Sequence, residues 1–322
     1  MDNLIKKIEE GRNIRPTTLN IYKKNLNNLS NYITKNDYTN NNFLKETTKI
    51  MDFLNDKSNS VKKKYLSSIL IALSPSAKNQ PTKDNEELYN TYKNLLNDEN
   101  NIYLDKIKNN NKSDKDIKNW TSWNNIISVR DKLLKQIKSR SINFNKTGVK
   151  NKRDFNLVQD YIISALYTYL PPRRLEYADT ILISEKDFNN LDAKNKNDNI
   201  YLVSKNKSNK YFSFGKNAVK SETPNNLKID IPKKLNSVIN FWNNTNRTKY
   251  LLVNNKGEKL TKNMLGKKIQ DIFNDTGKNI SVVLLRKIYL SNKFGDVLKE
   301  RKEVSEQMNH SLNTANTYYI KN

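Results

Sequence analysis

A mainly helical, α+β chain in two domains is what this sequence predicts, on three observations. Apolar residues recur at helical spacing along most of the chain, a polar stretch near residue 110 interrupts them, and short alternating segments cluster between residues 199 and 231. The expected layout is a helical domain over 1–108, a linker over 109–119, and a second helical domain over 120–322 carrying a small three-stranded antiparallel sheet. A length of 322 residues favours two domains over one.

Each element has its own signal. Residues 15–33 open with Pro16 and two threonines suited to capping, then set Leu19, Tyr22, Leu26, Leu29 and Ile33 on one helix face. The same period returns over 43–54 and over 61–73, where Ser74-Pro75 stops it, and a further helix is expected from Glu86 to about Leu104. From Lys106 to Asn119 apolar residues all but vanish, between that helix and the pair Trp120 and Trp123; this stretch reads as the linker. Helices are then predicted over 123–137 and over 154–169, the latter ending at Pro171-Pro172. Strands are expected over 199–204, 210–215 and 227–231, where Phe212/Phe214 and Ile229/Ile231 alternate with polar neighbours. Helical periods resume over 235–242, 261–273, 282–294 and 296–308.

The charge narrows the partners. With 58 basic against 33 acidic residues the net charge is +25, a field that attracts polyanions and releases their counterions, so nucleic acid is the default partner. Part of this excess of Lys and Asn is also what an AT-rich coding sequence produces. No polybasic amphipathic helix with a wide apolar stripe argues for a membrane surface, and the longest apolar stretch, 161–171, is too short to span a bilayer. The first residues lack the apolar core of a secretory signal. No cysteine and a single histidine, His310, remove disulfides and the usual zinc sites; no compact acidic cluster suggests magnesium.

Four segments carry residue types suited to a phosphate. After the double proline come Arg173 and Arg174, with Glu176 one helical turn beyond Arg173, close enough to orient its fork. Alone, such a segment is usually a surface salt bridge. Between Tyr211 and Pro232 a hairpin carries Lys216 and Lys220 in its connection, either a proton donor to a departing alkoxide or a solvated turn. Arg286 lies in S-V-V-L-L-R-K-I-Y-L-S, where a half-buried charge needs either a carboxylate or an anion. The last segment puts His310 nine positions before Tyr319, with Tyr318 adjacent.

In their order and spacing, Arg173 with Glu176, a hairpin lysine, Arg286, and H-S followed by Tyr319 resemble the tyrosine recombinase and integrase family, related to type IB topoisomerases. The wording P-P-R-R-x-x-x-Y and L-R-K-x-Y-L-S is most similar to integrase-type members from viruses and mobile elements of eukaryotic microbes. The resemblance runs from about Trp120 to the end, and it implies that the helical domain before it is a DNA core-binding domain. It further implies that Arg173 and Arg286 clamp the non-bridging oxygens and that Tyr319 attacks the phosphate to give a 3′-phosphotyrosyl link. Lys220, with Lys216 as alternate, would protonate the leaving oxygen, and His310 would hydrogen-bond the phosphate or assist the tyrosine. Because the ester conserves the bond energy, neither metal nor ATP is implied. Double-stranded DNA and a homotetramer on that DNA are the implied partners, wherever in the cell the target DNA lies.

Three positions depart from the family pattern. Val283 stands where many members have His or Lys three residues before the second arginine; Tyr318 competes with Tyr319; and only three residues follow Tyr319. Two other functions therefore stay open, a DNA-binding relative weakened in catalysis and a monomeric type IB topoisomerase.

Overall fold

The computed structural model describes residues 1–78, 80–108, 112–142, 151–219 and 225–311, and divides into two compact units, Met1–Asn111 and Lys112–Asn322. The first unit is all-helical: α1 (Asp2–Gly11), α2 (Pro16–Thr34), α3 (Thr47–Asn55), α4 (Asn59–Leu73) and α5 (Glu86–Lys108). Leu19, Leu26 and Leu29 of α2, spaced as the sequence indicates, meet Tyr65, Leu66 and Ile69 of α4 and Tyr89 and Tyr92 of α5 in one core. The threonines after Pro16 do not cap α2. Arg15 is its N-cap and Pro16 fills the first turn, where a missing N–H costs nothing.

The second unit begins inside the stretch read as linker. A short helix α6 (Asp114–Asn119), capped by the Ser113 hydroxyl accepting from Asp116 N–H, occupies part of it. Then follow α7 (Trp123–Ser139) and α8 (Lys152–Tyr169), capped in the same way by Ser122 and Asn151. α8 ends where Leu170 turns extended ahead of the prolines, and a 3₁₀ turn (Leu175–Asp179) leads into the sheet.

The sheet has four strands, not three, and is mixed, not purely antiparallel. β2 (Ile200–Ser204), β3 (Lys210–Phe214) and β4 (Leu227–Asp230) are the expected antiparallel set, with Leu202 opposite Phe212 and Phe212 opposite Ile229. β1 (Thr180–Ser184) adds a parallel edge to β2, with α9 (Glu185–Asn189) and α10 (Ala193–Asp198) as the crossover. Both sheet faces are covered. Leu202, Phe212 and Phe214 enter the main core, while Tyr201, Val203 and Tyr211 pack under Phe188 and Leu191.

α11 (Lys233–Thr245), α12 (Lys262–Phe273) and α13 (Val282–Gln307) complete the unit. The two helices expected over 282–294 and 296–308 are one. α13 runs through Gly295 without a break, as a single glycine costs a helix only about 1 kcal/mol. Its first turns bury Leu284, Leu285 and Ile288, set Tyr289 edge-on to Trp123 at 5.1 Å, and pair Lys287 with Asp116 at 2.7 Å. Among the described residues no helix is long and apolar enough to cross a membrane.

Candidate phosphate-binding site

Four arginines of the second unit are wholly or partly buried, Arg130, Arg173, Arg286 and Arg301, and the first three differ in how far the protein compensates their charge. Arg130 on α7 is fully served: Asp131 accepts from Nε at 2.9 Å and from Nη2 at 2.7 Å, Thr168 accepts from Nη1 at 3.3 Å, and the Tyr169 ring lies 4.2 Å from its Cζ. Arg173 is half served. Its Nε donates to Glu176 Oε2 at 2.7 Å and its face lies 3.8 Å from the centre of the Phe214 ring, which leaves the terminal nitrogens with no hydrogen bond among the described residues. Arg286, half-buried between Leu285 and Lys287, makes neither hydrogen bond nor ion pair among the described residues. An uncompensated guanidinium in such surroundings is where an anion lowers the free energy most.

Local sequence fixes the presentation of Arg173. The double proline forces the chain out of α8, and the Tyr167 hydroxyl reaches across that corner to donate to Arg174 O at 2.7 Å. Glu176 is 7% exposed on the 3₁₀ turn, and Phe214, at the end of β3, supplies the ring. The charge of both arginines reaches Tyr167. Burial pushes its hydroxyl well above the ordinary value, Tyr177 and Glu176 push the same way, and Arg173 and Arg286 both pull it down. Two guanidinium groups from distant parts of the chain therefore act on one buried hydroxyl. Tyr177, packed on Tyr167 at 5.4 Å and Phe212 at 5.3 Å, keeps a buried hydroxyl with no partner among the described residues, and burial raises it as well.

The remaining site residues are placed as follows. Arg174 is exposed beside the pair. Lys216 is exposed in the turn after β3, where its backbone N–H donates to Asn226 Oδ1 at 2.8 Å; a Cβ at neighbouring Gly215 would collide with the carbonyls of Asn197 and Asn199. Val283, 57% exposed, precedes Arg286 by one turn, so an apolar group stands where an acid or base would. His310 is not brought to the arginines. Its N–H donates to Ser305 O at 3.0 Å, and Ser305 is 19 residues beyond Arg286 on a straight helix, a separation of about 28 Å. Lys220, Tyr318 and Tyr319 lie outside the described residues.

Of the residues expected at the site, Arg173 and Glu176 are brought into contact and Arg173 and Arg286 both act on Tyr167; the sequence did not single out Phe214, whose stacking on Arg173 depends on sheet register, or Tyr167, seven residues before Arg174. Cavity size does not point here. Larger clefts lie elsewhere, one of about 670 Å³ on the second unit lined by Ser204, Lys207, Lys210 and Asn240, and one of about 430 Å³ on the first unit lined by Tyr22, Lys63, Lys64 and Tyr103.

No family model and no curated protein matches the chain. The crystal structure of XerA recombinase aligns over 100% of this chain and 94% of its own, at 12% identity and a TM-score of 0.32, a likeness too slight to carry an argument about fold or activity.

Proposed function

We propose that the chain cuts and rejoins DNA strands as a tyrosine recombinase or integrase. The observation that carries this is Arg286, half-buried with no partner among the described residues, together with Arg173, whose fork Glu176 and Phe214 hold in place, both acting on the buried Tyr167 hydroxyl. A net charge of +25 supports a polyanionic substrate, and the order of residues through Tyr319 supports the tyrosine chemistry.

In this reading the arginines bind the non-bridging oxygens and stabilise the charge that builds on phosphorus. The Tyr319 hydroxyl gives its proton to solvent as its oxygen attacks the phosphate, the bond to the 5′ oxygen breaks, and that oxygen leaves with a proton from Lys220 or Lys216. Rejoining runs the same steps in reverse, so no metal or nucleotide is consumed. The all-helical first unit would bind the DNA core site and the enzyme would act as a tetramer there.

Incubation with duplex ends of the element should yield a covalent protein–DNA adduct that Tyr319→Phe abolishes and Tyr318→Phe leaves in place. An undiminished adduct from Tyr319→Phe removes that nucleophile from the proposal. The exposed Val283 and the remote His310 favour a second reading, a DNA-binding protein weakened in catalysis, which predicts tight, salt-sensitive binding to a verified cognate site with no adduct.

A further inference from the structure

A cation at the start of β3 is buried with no acid beside it among the described residues. Lys210 is 6% exposed, and its ammonium donates only to neutral oxygens: Lys207 O at 2.9 Å, Asn236 Oδ1 at 2.8 Å, Asn240 Oδ1 at 2.6 Å and, more weakly, Asn206 O at 3.4 Å. Asn236 and Asn240 turn their amide nitrogens to the same Lys207 carbonyl, at 2.9 and 2.8 Å, so three donors pin the turn between β2 and β3 at that residue. The Lys207 side chain is exposed, and its ammonium has no ion pair among the described residues.

This turn and α11 form the walls of the cleft of about 670 Å³. α11 sets Asn236, Asn240, Asn243 and Asn244 on one face at helical spacing. None of the described residues lining the cleft is acidic, and Glu185 of α9 pairs with Lys205 at 3.3 Å. Asn206 accepts the Ser208 and Asn209 N–H groups on Oδ1, at 2.8 and 2.9 Å, which leaves its Nδ2 for an outside acceptor. Asn243 buries its Oδ1 with no partner among the described residues, so its Nδ2 is the end left to a ligand.

We infer that this cleft is a second anion site, built for the oxyanion of a phosphate group, with Lys207 at its mouth and Lys210 behind it. The protons of Lys210 are all engaged, so it acts through its charge. A buried ion surrounded only by dipoles is stabilised by a counter-ion nearby. Contact falls to the Lys207 ammonium and the amide nitrogens of Asn206 and Asn243. Single donors around a point charge suit a tetrahedral oxyanion; a carboxylate is better served by an arginine fork, and no arginine lines the cleft. The carbonyls that end α11 repel an anion, so the seat lies on the turn side, toward Asn240. From Lys210 to Phe214, on whose ring Arg173 stacks, β3 runs about 13 Å, so the two seats take different phosphates. The group is either a phosphodiester of DNA or a free phosphate compound, and the site does not rest on the recombinase reading.

Inorganic phosphate titrated into the whole chain, in Tris chloride at constant ionic strength, should move the side-chain amide NMR signals of Asn206 and Asn243 along one saturating curve in the millimolar range. Lys207→Gln leaves the pinned carbonyl in place and should weaken that curve about tenfold, as the loss of a charged hydrogen bond does, while Lys207→Arg restores most of it. Arg286→Met, which removes the other candidate clamp, should leave the curve unchanged. Duplex DNA that moves the same signals, with a slope of log affinity against log salt reduced by about one in Lys207→Gln, names the phosphodiester as the source. Signals that answer to inorganic phosphate and not to duplex name a free phosphate compound. No movement at tens of millimolar phosphate, the same movement with added chloride, or a Lys207→Gln curve equal to the wild type would overturn the inference.

Discussion

Arg286→Met should make the DNA-free protein more stable. An ionised group fully removed from water without a partner costs several kcal/mol, and Arg286, half-buried with no partner among the described residues and with Arg173 acting on the same hydroxyl, bears part of that cost, about 1–2 kcal/mol. Methionine keeps the stem and packs beside Leu285 and Ile288. For a unit of this size each kcal/mol shifts the melting temperature by about 2–4 °C, so the variant should melt roughly 2–8 °C higher in low-salt buffer free of phosphate. Sulfate or duplex DNA should reverse the order. Ligand at a hundred times its dissociation constant adds about 2.7 kcal/mol to the wild type, and the variant should gain far less. Scanning calorimetry with and without the anion reads both effects. If Arg286→Met melts below the wild type and the wild type ignores the anion, the guanidinium holds the fold together and is not a vacant anion clamp.

Further outcomes follow from the same geometry. Tyr167→Phe removes the bond to Arg174 O and should cost about 1–2 kcal/mol in urea denaturation, whereas Tyr177→Phe discards a partnerless buried hydroxyl and should be neutral or stabilising by up to about 1 kcal/mol. Lys210 is buried at the start of β3, its ammonium donating to Lys207 O at 2.9 Å, Asn236 Oδ1 at 2.8 Å and Asn240 Oδ1 at 2.6 Å, and burial lowers its pKa below the ordinary 10.5. The unfolded chain then holds this proton more firmly, so Lys210 contributes a stability that rises with pH from its depressed value up to 10.5; urea midpoints should show that slope in the wild type and lose it in Lys210→Met. Gly215→Ala drives a Cβ into the Asn197 and Asn199 carbonyls and should destabilise by about 1–3 kcal/mol, seen as a lowered melting temperature.

The helices were legible because their apolar periods are carried by residues such as Leu19, Leu26 and Leu29, which no neighbour in space is needed to recognise. β1 was not, since Ile181-Leu182-Ile183 shows no alternation and gains its strand identity only by pairing with Tyr201, Leu202 and Val203. α1 passed unread although Leu4 and Ile8 sit four apart, and α9 and α10 are too short to show a period. Gly295 read as a break because local propensity favours one there, yet the backbone hydrogen bonds of α13 carry through it. At the site, the Arg173–Glu176 contact is local and could be seen in advance. The stacking of Phe214 is not, because it depends on which face of β3 meets the corner after α8.

The corner after α8 has a kinetic consequence. Because Pro171-Pro172, the Tyr167 hydroxyl, Glu176 and the Phe214 ring immobilise Arg173 in the DNA-free chain, the entropy of ordering that fork is spent during folding and not at the moment of association. On the proposed reading, capture of a duplex then proceeds without a slow rearrangement at this arginine, at a rate set by long-range attraction and hence falling steeply as ionic strength rises.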